Sequence, residues 1–186
     1  MEQYRKTPRA DFLDYEVGDY FVTICTKGHK HFFGEITDNE MHLNELGMFC
    51  QRQLEKAHSF NDNIEIIVFT VMPNHVHAII RIGYGEDAET SLSEGNLFQR
   101  SPNPYMRANP SCHRHITVLS RYVSSFKGAV TKYAKSIGLN FGWQPRYHDH
   151  FIRGAQDGNH IYEYIVDNVA RWDKDCYRHR NESPHM

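Results

Sequence analysis

The feature that most constrains the fold is a pair of apolar segments separated by a Pro-Asn dipeptide. Residues 64–72 (IEIIVFTVM) and 75–82 (HVHAIIRI) are rich in β-branched side chains, which favour strands. Pro73 has no N–H group to donate to a central ladder, so the two segments cannot form one long strand. The sequence therefore predicts two strands joined by a tight turn at Pro73 and Asn74.

The rest of the chain alternates between strand-like and helix-like patterns. Further strands are expected at 19–26, 31–36, 40–43 and 147–153, and helices at 44–58, 120–137 and 158–172. Asn44 is a candidate cap for the first helix, Gly138 follows the end of the second, and Asp157 or Asn159 lies near the start of the third. This order predicts an α+β fold with a mostly antiparallel, ferredoxin-like sheet and helices packed on it.

A length of 186 residues with 40% hydrophobic content is typical of one globular domain, expected here to cover residues 1–186. Residues 84–111 are dominated by Gly, Ser, Asn, Pro and charged side chains, which predicts a mobile loop. No segment approaches the roughly 20 apolar residues of a membrane span, and residues 1–16 are too polar for a secretory signal. We therefore expect a cytoplasmic protein with no membrane partner. The four cysteines form no C-x-x-C pair, which argues against a zinc ribbon or a disulfide framework.

Positive charge is concentrated in one stretch, although the formal net charge is −2 and the isoelectric point is about 6.7. Between residues 95 and 148 there are eight Lys or Arg residues and no Asp or Glu. A chain with this overall charge is not expected to coat nucleic acid through bulk attraction. The asymmetry predicts one face that meets phosphates, while a basic loop beside an ordinary solvated helix face is the alternative interpretation.

Histidine pairs with the spacing H-x-H occur at 29/31, 75/77, 113/115 and 148/150 among the 13 histidines. In a strand such a pair points to one face, because side chains alternate with a period of two. His75 and His77 differ from the others in beginning an apolar strand, where rigid neighbours can fix two imidazoles. Two imidazoles make an incomplete metal site, so a third ligand from elsewhere is required.

The last predicted helix offers a candidate for that ligand. Tyr164 and Asn168 are four residues apart, a spacing that places a phenol and a carboxamide on one helix face. Asn168 could supply an oxygen ligand, and Tyr164 could approach a phosphate held by the same metal. A tyrosine with an ordinary pKa of about 10 is a poor nucleophile unless a cation polarises the phosphate. Taken alone, a tyrosine on an amphipathic helix is more often a core residue, so the hypothesis depends on Tyr164 occurring together with the histidine pair and Asn168.

Four ordered motifs resemble the single-tyrosine HUH transposases. They are residues 20–26 (YFVTICT), 71–77 (VMPNHVH), 143–153 (WQPRYHDHFIR) and 164–168 (YIVDN). The similarity is greatest to the REP-associated tyrosine transposases and their insertion-sequence relatives, and it covers most of the chain. Relatives with Asn at the last motif position usually continue with Pro, whereas this chain has Val169. This departure removes a helix-ending signal and leaves the expected ligands intact.

The resemblance implies a ferredoxin-like core that cuts and rejoins single-stranded DNA. It implies that His75, His77 and Asn168 bind Mg²⁺ or Mn²⁺ and that Tyr164 is the catalytic nucleophile, forming a 5′-phosphotyrosine link. The expected partner is single-stranded or hairpin DNA, so the protein is expected at the nucleoid when it is on DNA. A homodimer is compatible with the resemblance, because insertion-sequence relatives work as dimers, whereas REP-associated ones can be monomers.

Residues of the basic stretch between 95 and 148 are candidates for DNA contacts. For the phosphate backbone these are Arg121, Lys127, Lys132 and Arg146, and for stacking on an unpaired base they are Trp143 and Tyr147. A tryptophan is more often a core residue, which is the competing interpretation of Trp143.

Two other classes of function are compatible with the same residues. A relative of such transposases could recognise DNA hairpins without catalysing a reaction, in which case the site residues are retained without use. A metal hydrolase could instead use His148, Asp149 and His150, and its turnover would then not depend on Tyr164.

Overall fold

The structure of the chain, a computed structural model, describes residues 17–83 and 117–178; the predicted loop at 84–111 lies outside them. The described residues form six strands and three α-helices. In chain order these are β1 Gly18–Cys25, β2 Gly34–Thr37, β3 Glu40–Leu43, α1 Glu45–Glu55, β4 Ile64–Met72, β5 His75–Ile82, α2 Val118–Ser136, β6 His148–Phe151 and α3 Ala155–Val166. Short 3-10 turns lie at Lys27–His29, Ala57–Ser59 and Trp172–Lys174. None of the helices described is both long and apolar enough to cross a membrane.

Four strands form one antiparallel sheet in the order β4-β5-β1-β6. The β5 strand pairs with β1 along its whole length, and Thr23 of β1 lies opposite His77 of β5 on one side and His148 of β6 on the other. The β2 and β3 strands form a separate antiparallel hairpin. With helices packed on the sheet, this arrangement confirms the predicted α+β, ferredoxin-like fold.

The two faces of the sheet carry different sets of side chains. Val22 of β1 and the β5 residues Val76 and Ile80 point into the main core, which α1 and α2 cover. The alternate residues of the same strands point the other way, where α3 packs over β4 and β5 around Ile79. His77 belongs to this second set, so the strand alternation places the histidine pair on the α3 side of the sheet.

Several local signals acted as the sequence predicted. The β4 and β5 strands have the expected bounds, because the proline at 73 ends one ladder before the next begins. Asn44 caps α1, since its side-chain oxygen accepts from the N–H of Gly47 at 3.0 Å. Gly138 follows α2 with a φ of 76°, the left-handed conformation in which glycine is favoured.

The strand predicted at 31–36 begins only at Gly34. The N–H groups of Phe32 and Phe33 donate to the carbonyl oxygen of Pro73, at 2.9 and 3.1 Å, rather than to a neighbouring strand. This segment therefore fastens the turn between β4 and β5 and does not extend the hairpin.

The helix predicted at 158–172 is instead Ala155–Val166. It starts earlier, after Gly154, and Asp157 accepts from the N–H of Arg153 at 2.9 Å within its first turn. It ends earlier because the N–H of Asn168 bonds to the carbonyl of Ile165, at 3.3 Å, in the tighter three-residue pattern. Asn168 thus lies in the turn after α3 and not on the helix as predicted, although its amide still lies next to Tyr164.

Candidate active site

His75 and His77 lie side by side at the start of β5, with ring centroids 4.4 Å apart. Both are buried, with exposed fractions of 0% and 1%. Burial lowers the pKa of His77 to about 3, and burial followed by the charges of His77 and His29 lowers the pKa of His75 well below its ordinary value. Both imidazoles are therefore neutral at physiological pH, which is the form that ligates metals.

Each imidazole uses its Nδ1 atom in a hydrogen bond to a neighbouring side chain. His75 Nδ1 lies 2.7 Å from Oδ1 of Asn74, and His77 Nδ1 lies 2.9 Å from Oγ1 of Thr23. Such partners orient metal-ligating imidazoles and leave the Nε2 atoms for another contact. Thr23 and Asn74 were not singled out in the sequence as site residues, because only the strand register brings Thr23 opposite His77.

Two oxygen-bearing side chains from the segment after α3 complete the surroundings of the pair. Asn168 is 2% exposed, and its amide lies close enough to His75, Tyr164 and Asp175 to shift the pKa of all three. Oδ2 of Asp175 lies 3.7 Å from Nε2 of His75. One ligand atom from each of His75, His77 and Asp175 falls within 4.8 Å of the others, so these three residues form a group that could hold a metal ion.

The residues present fit a divalent cation. Within residues 17–83 and 117–178, no hydrogen-bond partner is found for three buried polar atoms: His75 Nε2, Asn168 Oδ1 and Asp175 Oδ2. Buried polar groups are almost always paired, and atoms left unpaired together in one place indicate a ligand that binds there. Two imidazole nitrogens, an amide oxygen and a carboxylate oxygen are a donor set suited to such an ion. Sequence reasoning missed Asp175, which lies in a short charged stretch (DKD) that resembles ordinary solvated surface.

The half-buried Tyr164 of α3 points at this group. Its hydroxyl lies 3.3 Å from Nε2 of His77, and its ring packs edge-on against Phe21 with centroids 6.1 Å apart. Burial, followed by the charge of Asp175, raises the pKa of Tyr164. The predicted convergence of Tyr164, His75, His77 and Asn168 is present in the structure, although Asn168 arrives from a turn and not from the helix.

Comparisons with known proteins show the family and the fold of the chain. The chain is 32% identical over 175 residues to an uncharacterized protein of Haemophilus influenzae, and the match covers 92% of each chain. The chain belongs to the same family as that protein. Its fold matches a solved structure of a REP-associated tyrosine transposase bound to a REP hairpin, with a TM-score of 0.54 and 18% identity, over 92% of this chain and 74% of the other. No protein-family model matches the chain.

The fold places the predicted DNA contacts of α2 on the far side of the sheet from Tyr164. Arg121 and Lys132 are exposed there, whereas Nζ of Lys127 donates to the carbonyl of Gln144 at 2.6 Å. Burial lowers the pKa of Lys127. These α2 side chains therefore lie away from the reacting groups, and their contacts with DNA stay a prediction.

The three other candidate contacts lie in the segment just before β6. Nε1 of Trp143 donates to the carbonyl of Lys127 at 3.1 Å, and the ring packs against the main core. The hydroxyl of Tyr147 lies 3.0 Å from that of Ser120, and Arg146 is exposed. Arg146 is thus accessible, while Trp143 and Tyr147 have structural partners.

The alternative hydrolase site is divided between the two faces of the sheet. His148 and His150 of β6 point to the α3 side, and Asp149 between them points to the other. Nε2 of His150 lies 3.0 Å from Oδ2 of Asp157, within hydrogen-bonding distance. Because Asp149 cannot share a centre with the two histidines, the structure does not support this alternative.

Proposed function

We propose that this chain is a metal-dependent single-stranded DNA endonuclease and strand transferase of the transposase type, which works through a 5′-phosphotyrosine intermediate. The observation that carries the proposal is the position of the Tyr164 hydroxyl, 3.3 Å from a histidine of the candidate metal group. A lone tyrosine or a lone histidine pair would not suggest this chemistry, whereas their convergence on one side of a sheet does.

We assign Mg²⁺ or Mn²⁺ to His75, His77 and Asn168, with Asp175 as a further oxygen ligand. When bound, such a cation withdraws charge from the oxygens of the scissile phosphate. The four ligand side chains are in place before DNA binds, because all of them are buried and the two imidazoles are oriented by hydrogen bonds through Nδ1.

Tyr164 carries out the covalent step. Its phenolic oxygen bonds to phosphorus, and the bond from phosphorus to the preceding 3′-oxygen breaks, so the DNA leaves with a free 3′-hydroxyl after that oxygen takes up a proton. Attack by a second 3′-hydroxyl on the tyrosine link reverses the step and joins two strands. Because the link retains the phosphodiester energy, no nucleotide cofactor is required. Burial and the charge of Asp175 raise the pKa of Tyr164, so the phenol is protonated at rest. It gives up this proton on bonding to phosphorus while the departing 3′-oxygen gains one, so the step is balanced.

The partner we infer is single-stranded or hairpin DNA, and the solved transposase of similar fold is bound to a REP hairpin. The nucleotides at the scissile phosphate meet the α3 side of the sheet. Arg121 and Lys132, on the α2 side, are proposed to contact phosphates further along the DNA, and Arg146 is exposed near β6. Homodimer formation and association with the nucleoid follow from the same resemblance and stay predictions.

The test is covalent capture of DNA. A labelled hairpin oligonucleotide with randomised single-stranded flanks is incubated with Mn²⁺, and the protein–DNA adduct is resolved on a denaturing gel and located by mass spectrometry. We expect an adduct on Tyr164 that disappears with EDTA and in Tyr164→Phe. Tyr162→Phe is the matched control, because Tyr162 lies on the same helix and packs against Ile79 and its neighbours.

Two results would count against the nuclease. An adduct that persists in Tyr164→Phe would assign the nucleophile elsewhere. Tight hairpin binding with no adduct under any metal would favour the non-catalytic hairpin-binding alternative.

A further inference from the structure

Asn74, at the turn between β4 and β5, is fully buried, and both the NH₂ group and the oxygen of its side chain form hydrogen bonds. Its Nδ2 group donates to the carbonyl oxygens of His29 at 3.1 Å and Tyr177 at 2.9 Å. Its Oδ1 atom lies 2.7 Å from Nδ1 of His75. One amide thus connects the metal-site histidine with two segments distant in sequence.

These contacts fix which way the amide faces. Backbone carbonyls only accept hydrogen bonds, so the NH₂ group of Asn74 must face His29 and Tyr177, and the oxygen must face His75. An amide oxygen also only accepts, so the proton of the neutral His75 ring sits on Nδ1. The Nε2 atom of His75 is therefore an unprotonated lone pair.

That lone pair faces Oδ2 of Asp175 at 3.7 Å, and neither atom has a hydrogen-bond partner in the part of the chain that the structure describes. Two electron-rich atoms at this separation repel each other unless a positive ion lies between them. Asp175 is held in place by the same amide, because the carbonyl of Tyr177 bonds to Asn74 while the N–H of Tyr177 donates to Oδ1 of Asp175 at 2.7 Å. The ring of Tyr177 packs on His75, with centroids 4.7 Å apart.

We propose that Asn74 is a positioning residue of the metal site, an inference that rests on the metal-dependent function proposed above. It acts in two ways. Its oxygen holds His75 as the Nδ1–H tautomer and so presents Nε2 to the ion. Its NH₂ group anchors the segment that delivers the Asp175 carboxylate to the same ion.

The first role is tested without DNA and without metal, by ¹⁵N-edited NMR of the histidine rings in EDTA at neutral pH. We expect the His75 proton on Nδ1 in the wild type. In Asn74→Ala we expect it to move to Nε2, where Asp175 can accept it. A wild-type ring protonated on Nε2 would overturn the inference, whether or not the protein cleaves DNA.

The same variants are titrated with Mn²⁺ by calorimetry. Loss of a group that orients a ligand typically weakens metal binding by about 10- to 100-fold, and we expect this range for Asn74→Ala. Asn44→Ala is the matched control, because it removes a comparably bonded asparagine at the start of α1. It is expected to lower the melting temperature and leave the Mn²⁺ affinity within about 2-fold of wild type, outside the range that loss of an orienting group produces. Wild-type affinity in folded Asn74→Ala would refute the proposal.

Asn74→Asp separates the two roles and serves if the alanine variant does not fold. A carboxylate still accepts from His75 Nδ1 but cannot donate to the carbonyl of Tyr177. We expect the Nδ1–H tautomer to persist and amide hydrogen exchange at Tyr177 and Arg178 to accelerate. Unchanged exchange would refute the anchoring role, and loss of the Nδ1–H tautomer would refute the orienting role.

Discussion

Replacing Asp175 with asparagine is expected to change stability in opposite directions with and without metal. In the metal-free protein the Asp175 side chain is 3% exposed, and its Oδ2 atom faces the bare Nε2 of His75. Asparagine removes the buried charge and offers an N–H to that nitrogen, while its oxygen can still accept from Tyr177. With Mn²⁺ bound, the same change removes a ligand.

The magnitudes follow from these contacts. An unpaired buried polar group lowers the free energy of unfolding by about 1–3 kcal/mol, so we expect Asp175→Asn to raise it by about 1 kcal/mol in EDTA. For a chain of this size that gain raises the melting temperature by about 2–4 °C. At a Mn²⁺ concentration about 100 times the wild-type Kd, binding stabilises the wild type by about 2.7 kcal/mol. If the variant binds about 100-fold more weakly, its stabilisation falls to about 0.4 kcal/mol, so the order of stability reverses.

Thermal unfolding of both proteins in EDTA and in Mn²⁺ measures all four values. Asp173→Asn is the control, because that side chain is 80% exposed in the same segment and should alter neither value by more than about 0.5 kcal/mol. The reasoning is refuted if Asp175→Asn is less stable than wild type in EDTA, or if its response to Mn²⁺ is undiminished.

Two further predictions concern single contacts. Thr23→Val keeps the β-branched shape but removes the hydroxyl 2.9 Å from His77 Nδ1, so Mn²⁺ binding measured by calorimetry should weaken by about 10- to 100-fold while the protein stays folded. Gly47→Ala should destabilise the protein in urea unfolding, because a Cβ there would overlap the carbonyl oxygen of Phe33. Gly128→Ala in α2 should instead stabilise it by about 0.5–1 kcal/mol, because none of the described residues has an atom within 4 Å of the added Cβ. Equal effects of the two glycine substitutions would contradict the structure.

The strands and the histidine pair could be predicted because they depend on local chemistry. The period of two in β5 fixes which face His75 and His77 share, whatever packs on that face. Pro73 sets where β4 ends and β5 begins, and Asn44 sets the start of α1. Each of these predictions depends only on residues that are close together in the sequence.

The remaining site residues could not be predicted from local patterns. Thr23 reaches His77 only through the register of β1 against β5, across 54 residues of sequence. Asp175 is one of several acidic residues near the end of the chain, and only the turn after α3 buries it. Asn168 lies in this turn, beyond the end of α3, and its amide still lies beside His75 and Tyr164.

The division of the sheet into two faces explains how these strands can serve both stability and chemistry. Along β1 and β5, alternate residues enter the core under α1 and α2, and the residues between them form the candidate site under α3. Substitutions at Thr23 or His77 therefore remove polar contacts on one face without opening a cavity in the main core on the other, where large-to-small changes cost about 2–5 kcal/mol. Loss of metal binding in such variants can then be separated from loss of folding, because the two properties depend on side chains that point in opposite directions from the same strand.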